Sequence, residues 1–230
     1  MSRTLRVCNL EDWFAGGERK ENFIQTLGDS LRDIGFFALS GHGISKDNID
    51  ASYEAIEHFF NLDQETKNTF EKPDIARQRG YTPYGIEHAK DNPEPDLKEF
   101  WQTGRTLSED NPLSGEFPKN FWPDSCSPEF EKHIDGLYKN MEQMSIELLK
   151  AASLFLDKDE SWLPNMAQDG NTILRVIHYP TLSPETPDGA VRSAQHEDIN
   201  LITLLIGATA DGLQVMDHDG TWIDVEGNHE

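Results

Sequence analysis

The sequence predicts an α+β fold, helical in its first half and built of strands after about residue 170. Three observations carry this. Apolar residues recur at steps of three and four through segments near 20–34, 45–60 and 129–155, the period of one buried helix face. Residues 171–180 instead alternate and are rich in β-branched side chains, as a strand requires. Near the end, Asp219-Gly220 separates two short apolar runs, a strong short-range hairpin signal.

Taken in order, residues 5–10 read as a short first strand. Phe23, Ile24, Leu27, Leu31 and Ile34 form the inner stripe of a helix from Lys20 to Ile34, which Gly35 ends. Phe36-Phe37-Ala38-Leu39 reads as a short buried strand and Gly41-His42-Gly43 as a turn whose glycines allow positive φ. Ser45 caps a second helix with Ile49, Tyr53, Ile56, Phe59 and Phe60 facing inward, and a third helical piece runs from Gln64 to Phe70 before Pro73. Residues 77–128 are rich in proline, glycine and charge and read as functional loops, with Lys98-Glu99-Phe100-Trp101-Gln102 a short strand among them. Ser127-Pro128-Glu129 supplies a cap, a first-turn proline and an acid at the positive end of a long helix, about 129–155. After residue 170 come strands at 171–180, 191–198 and 201–206, then a hairpin of 212–216 and 222–225 around Asp217-His218-Asp219-Gly220.

Composition narrows the partners. The 230 residues carry 20 Lys+Arg against 42 Asp+Glu, a net charge of -22. Such a surface repels phosphate backbones and anionic lipid, so neither nucleic acid nor membrane is an expected partner. No apolar run reaches the length of a membrane span, and the N-terminal residues lack the apolar core of a signal peptide. The only cysteines, Cys8 and Cys126, are far apart and form no CxxC pair, which fits a reducing compartment. The expected location is cytoplasmic.

The most informative stretch is Gln195-His196-Glu197-Asp198, followed by Leu201-Ile202-Thr203-Leu204-Leu205-Ile206. On extended backbone His196 and Asp198 project to one side, so an imidazole nitrogen and a carboxylate oxygen can reach one ion. A second histidine from elsewhere would complete a two-His-one-carboxylate iron site. Glu197 faces away and is assigned no role.

Four ordered stretches give this chain a family likeness. They are Asp33-Ile34-Gly35-Phe36-Phe37 through Gly41-His42-Gly43-Ile44, Lys98-Glu99-Phe100-Trp101, Leu174-Arg175-Val176-Ile177-His178-Tyr179-Pro180, and His196-Glu197-Asp198 with Leu201-Ile202-Thr203. Together they resemble the iron(II)/2-oxoglutarate-dependent dioxygenases, and more narrowly their isopenicillin N synthase-like branch. The ending from Gly212 to Val225 also fits. The resemblance implies a double-stranded β-helix, or jelly roll. It implies an N-terminal oxygenase region over 1–125, then a scaffold helix and partial jelly-roll core over 126–230. It also implies Fe(II) held by His196 and Asp198, 2-oxoglutarate and dioxygen as co-substrates, and Tyr179 hydrogen-bonding the 2-oxoglutarate carboxylate. The asparagine that family members often carry two residues before that tyrosine is Ile177 here. The expected reaction is hydroxylation, desaturation or ring closure of a small molecule, with the variable loops 77–127 and 181–190 lining its pocket.

One departure matters. The family's distal histidine and Arg-x-Ser motif do not occur after Asp198. The jelly roll is therefore expected to be incomplete, as in a C-terminally truncated member, with strand edges open to self-association. His218, in the hairpin turn, and His229 read as turn and terminal histidines. Two other readings stand beside the 2-oxoglutarate enzyme: a catalytically silent binding or assembly module, and an iron oxidase that uses no 2-oxoglutarate. Arg175, Arg192 and Lys98 are candidates to meet an anionic substrate or to form structural ion pairs. His42 reads as a turn residue and His178 as packing or surface.

Overall fold

The computed structural model describes residues 5–87, 94–182, 186, 190–207 and 212–225. Its elements run β1 (Val7–Asn9), α1 (Leu10–Ala15), α2 (Gly17–Asp33), β2 (Ala38–Ser40), α3 (Lys46–Phe60) and α4 (Gln64–Asn68), with a 3₁₀ turn at Pro73–Ile75. They continue as β3 (Gly80–Thr82), β4 (Glu99–Gly104), α5 (Phe130–Phe155), α6 (Trp162–Ala167), β5 (Ile173–His178), β6 (Gln214–Met216) and β7 (Trp222–Asp224). The α+β expectation holds. The chain forms two compact units, one of Met1–Lys46, Asn140–Gln168 and Leu201–Glu230, the other of Asp47–Lys139 and Asp169–Asn200. Among the described residues, no helix is long and apolar enough to cross a membrane.

In the first unit β1 pairs in parallel with β2, Cys8 opposite Leu39. β2 is more exposed than the apolar run suggested. The core gathers Cys8, Leu10 and Trp13, then Phe23 and Leu27 of α2, and Leu148, Ala151 and Ala152 of α5. Trp13 donates its indole N–H to Glu147 Oε2 at 2.8 Å while Lys20 Nζ sits 3.8 Å from its ring centroid, so its polar edge is satisfied and its face covered. Gly28 is required by packing: a Cβ there would overlap the Phe155 ring. The expected hairpin is present as β6–β7, with Val215 opposite Ile223 and Gly220 at φ 83° in its turn.

The second unit is organised on an antiparallel sheet in the order β3-β4-β5. Tyr81 lies opposite Trp101 and Trp101 opposite Val176, so these three share one face. That face meets Phe59, Phe60, Phe130 and Ile134. Phe59 is the hub, with ring centroids 5.1 Å from Trp101, 5.3 Å from Phe130 and 5.9 Å from Tyr81. β3 lies in a stretch that reads as loop, where Pro83 and Gly85 obscure a three-residue strand.

The same face carries a buried polar knot. Glu99, 2% exposed, accepts Lys67 Nζ at 2.9 Å, His178 Nδ1 at 2.8 Å and the Tyr81 hydroxyl. His178 also stacks on Phe60, the packing role expected of it. Burial pushes the Glu99 carboxyl up, but hydrogen bonds from Lys67, Tyr81 and His178 outweigh this and hold it below its ordinary value. Burial and the bond to Glu99 push the Tyr81 hydroxyl up, so it stays a donor.

Two expectations need correction. Residues 191–198 and 201–206 form no strand. A strand needs a continuous ladder of backbone bonds to a neighbour, and among the described residues no such ladder forms on them. Val191 O instead accepts Leu97 N, and Ala194 N bonds a side chain. Ile202 and Leu204 do alternate inward and pack on the first unit's core. The jelly-roll expectation is met only in part: the described residues form one three-stranded and two two-stranded sheets and close no barrel.

Phe59→Ala should cost about 3–5 kcal/mol, measured by urea unfolding. Because the Glu99 pKa is depressed in the fold, its contribution is complete above about pH 4.3 and is lost as pH falls through the lower folded value. Glu99→Gln should therefore lower stability at neutral pH and flatten its decline on acidification, measured as midpoint shifts across pH 3–7.

Candidate functional site

The face of the sheet opposite the aromatic cluster is formed by side chains of the other parity. There Thr82 lies opposite Phe100 and Gln102 opposite Arg175, with Ile173 at the end of β5. With Ala76, Arg77, Gln78, Ile86 and Glu87 these residues line an open cleft of about 500 Å³, within the size range of small-molecule sites. Most of the lining residues come from 77–127, several of them on β3 and β4. Most of 181–190 lies outside the described residues.

Arg175 dominates the cleft. Its guanidinium lies 4.2 Å from the Phe100 ring centroid, donates to Gln102 Oε1 through Nε at 3.1 Å, and to Glu87 through Nη1 at 2.9 Å. Glu87 Oε2 also bonds Lys98 Nζ at 2.9 Å, and Lys98 in turn bonds Asp96 Oδ2 at 2.8 Å. Burial pulls the Lys98 ammonium toward neutrality, but Asp96 and Glu87 overcome this and hold its pKa above the ordinary value. Arg175 and Lys98 thus resolve as paired cations, and Arg192 is exposed. Thr82 is 2% exposed and its Oγ1 has no partner among the described residues. A buried hydroxyl without a partner costs stability.

Sequence reasoning named neither Glu87 nor Asp96. The alternation of Asp96 and Lys98 about buried Leu97 was the available signal. For Glu87 there was none, because it reaches the sheet through a loop.

His196 and Asp198 are brought together. The His196 Nε2 to Asp198 Oδ1 distance is 3.6 Å, and both side chains are about half exposed. His196 Nδ1 lies 2.8 Å from Ala194 O. A carbonyl only accepts, so Nδ1 is the donor in that bond, and Nε2 is turned toward the carboxylate. Two donors this close can share an ion at metal–ligand distances of about 2.1 Å, and a protonated Nδ1 on a backbone carbonyl is the usual support of a ligating histidine. The pair fits a divalent metal, although on coil instead of the expected strand. Tyr179 follows β5 and is half-buried.

Among the described residues, no group of three His, Cys, Asp or Glu side chains converges to hold an ion. His218 is exposed in the β6–β7 turn, as read from sequence, and His229 lies outside the described residues. His42 Nδ1 accepts Ile44 N within its own turn.

Comparison with known proteins bears out the resemblance. Residues 5–125 match the family described as non-haem dioxygenase in morphine synthesis N-terminal, and residues 170–230 match the 2OG-Fe(II) oxygenase superfamily. The 2-oxoglutarate-Fe(II) type oxidoreductase hxnY of Emericella nidulans is 28% identical over 91% of this chain, which spans 62% of that protein. A 2-oxoglutarate-dependent dioxygenase of Didymella fabae is 31% identical over 88% of the chain, which spans 65% of it. Among solved structures, a 2OG-Fe(II) oxygenase family protein from Caulobacter crescentus is 34% identical with a TM-score of 0.83, covering 98% of this chain and 72% of its own. A full-length Neurospora crassa protein crystallised in complex with alpha-KG is 26% identical with a TM-score of 0.82, covering 96% and 69%.

Exchanging the unpaired Thr82 hydroxyl for a methyl tests the cleft. Thr82→Val should leave thermal stability unchanged or raise it by up to about 1 kcal/mol, measured by calorimetry. A clear loss would mean the hydroxyl is bonded within the protein.

Proposed function

The chain belongs to the 2OG-Fe(II) oxygenase superfamily, in its isopenicillin N synthase-like branch, and from that premise we propose that it takes part in iron-dependent oxidation of a small molecule. His196 Nε2 and Asp198 are two of the iron ligands in this reading. The carrying observation is the His196 ring held by Ala194 O with its Nε2 3.6 Å from Asp198 Oδ1. When bound, the iron supplies the oxidising chemistry with 2-oxoglutarate and dioxygen. The chain's residues supply position: the donor pair sets where the ion sits, and Ala194 O fixes the tautomer.

Tyr179 is the proposed hydrogen-bond donor to the 2-oxoglutarate carboxylate. Supporting this, continuing the alternation of β5 past His178 assigns it the parity of Ile177 and Arg175, the cleft face. The cleft is the proposed substrate site. Thr82 forms part of its floor, and Arg175, neutralised by Glu87, orients a polar substrate without demanding a charged one. Phe100, Ile86 and Ile173 supply its apolar wall. Hydroxylation, desaturation and ring closure are alternative outcomes of one oxidation.

Anaerobic Fe(II) titration tests the ligand assignment. His196→Ala and Asp198→Ala should each weaken iron binding by more than the roughly 10- to 100-fold typical of losing a ligand's supporting hydrogen bond. Uptake unchanged in both variants would sink the reading. Succinate release with oxygen uptake separates 2-oxoglutarate-dependent turnover from an iron oxidase, which consumes oxygen without it. Bound iron with neither product would favour the binding module.

A further inference from the structure

The segment that carries His196 has no strand ladder to hold it, yet it is fastened at two points to the residues entering β4. Leu97 N donates to Val191 O at 3.0 Å, and Ala194 N donates to Asp96 Oδ1 at 3.1 Å. The second bond comes from a carboxylate that is 2% exposed. Its other oxygen, Oδ2, is held by Lys98 Nζ at 2.8 Å, and Lys98 is held in turn by Glu87. Asp96 is therefore not free to follow a loose segment; the segment must conform to Asp96. Ala194 is the residue whose N–H meets Asp96 and whose carbonyl meets His196 Nδ1 at 2.8 Å.

We propose that Asp96 is a positioning residue for the metal site, acting through Ala194 to hold the His196 ring with its proton on Nδ1 and Nε2 open. The inference rests on the reading of His196 as a ligand. Its physical content is specific: one buried carboxylate oxygen does for this segment what a strand neighbour does elsewhere, anchoring the N–H of the residue whose carbonyl, two backbone torsions away, meets the ring. Without that bond the imidazole loses its acceptor, and the Nε2–H form, which cannot ligate through Nε2, becomes populated. Lys98 and Glu87 enter as the supports that hold the Asp96 carboxylate in place.

Long-range proton–nitrogen NMR of the His196 imidazole in the metal-free chain at neutral pH reads this directly. The wild-type ring should be the Nδ1–H tautomer. Asp96→Ala and Ala194→Pro both remove the Asp96–Ala194 bond, the second leaving the Asp96–Lys98 pair intact so that a folded variant carries the test. Both should move the ring to a mixture rich in Nε2–H and weaken Co(II) binding about 10- to 100-fold. Persistence of pure Nδ1–H in folded Asp96→Ala or Ala194→Pro would overturn the proposal. If the tautomers respond as expected but Co(II) does not bind wild-type protein, the positioning stands and the metal reading falls.

Discussion

The second unit depends on one constraint, the two-fold alternation of side chains along β4. All six of its residues are buried, yet the two parities meet different environments. Glu99 and Trp101 turn toward the Lys67 knot and the aromatic cluster, while Phe100 and Gln102 turn toward the cleft. A shift of register by one residue would put a carboxylate into the cleft and a glutamine against Phe59. The knot makes that shift costly, because Glu99 would leave Lys67, Tyr81 and His178 without their acceptor in a dry interior. The same pairing that fixes the core thus fixes which residues the cleft presents.

This arrangement divides the work of the charged residues. On the core face, three donors converge on one buried carboxylate. On the cleft side, Glu87 is shared between Arg175 and Lys98, and Lys98 between Glu87 and Asp96. In a chain with a net charge of -22, these cations are each matched to carboxylates, so the cleft offers directional donors more than a bare positive field. Arg175 gains further hold from the Phe100 ring beneath it.

Much of this was legible in the sequence where a local period reports a local structure. The α2, α3 and α5 stripes and the β6–β7 hairpin lie close to where spacing and turn chemistry put them. His196 and Asp198 do lie close, as their spacing suggested, though on coil and not on the strand that the alternation argument assumed. What could not be read has a physical cause. β3 hides among glycine and proline because a three-residue strand exists only by virtue of its partner. The run 201–206 has strand composition, but β-propensity by itself makes no ladder. Glu87, distant in sequence from Arg175 and Lys98, becomes their partner only through the path of a loop. Asp96 is one acid among many, distinguished only by the backbone N–H it meets.

The two thiols acquire a use from where they lie. Cys8 sits in the core of the first unit, where burial pushes its pKa up to about 11, and Cys126 lies half-buried in the second, where burial also raises it. Each compact unit therefore contains a single native cysteine. Cys8 is shielded while its unit is closed and reacts once it opens, whereas Cys126, only partly buried, stays within reach of reagent. Alkylation followed by mass spectrometry would therefore time the opening of the first unit against a reference thiol in the second, with no label introduced.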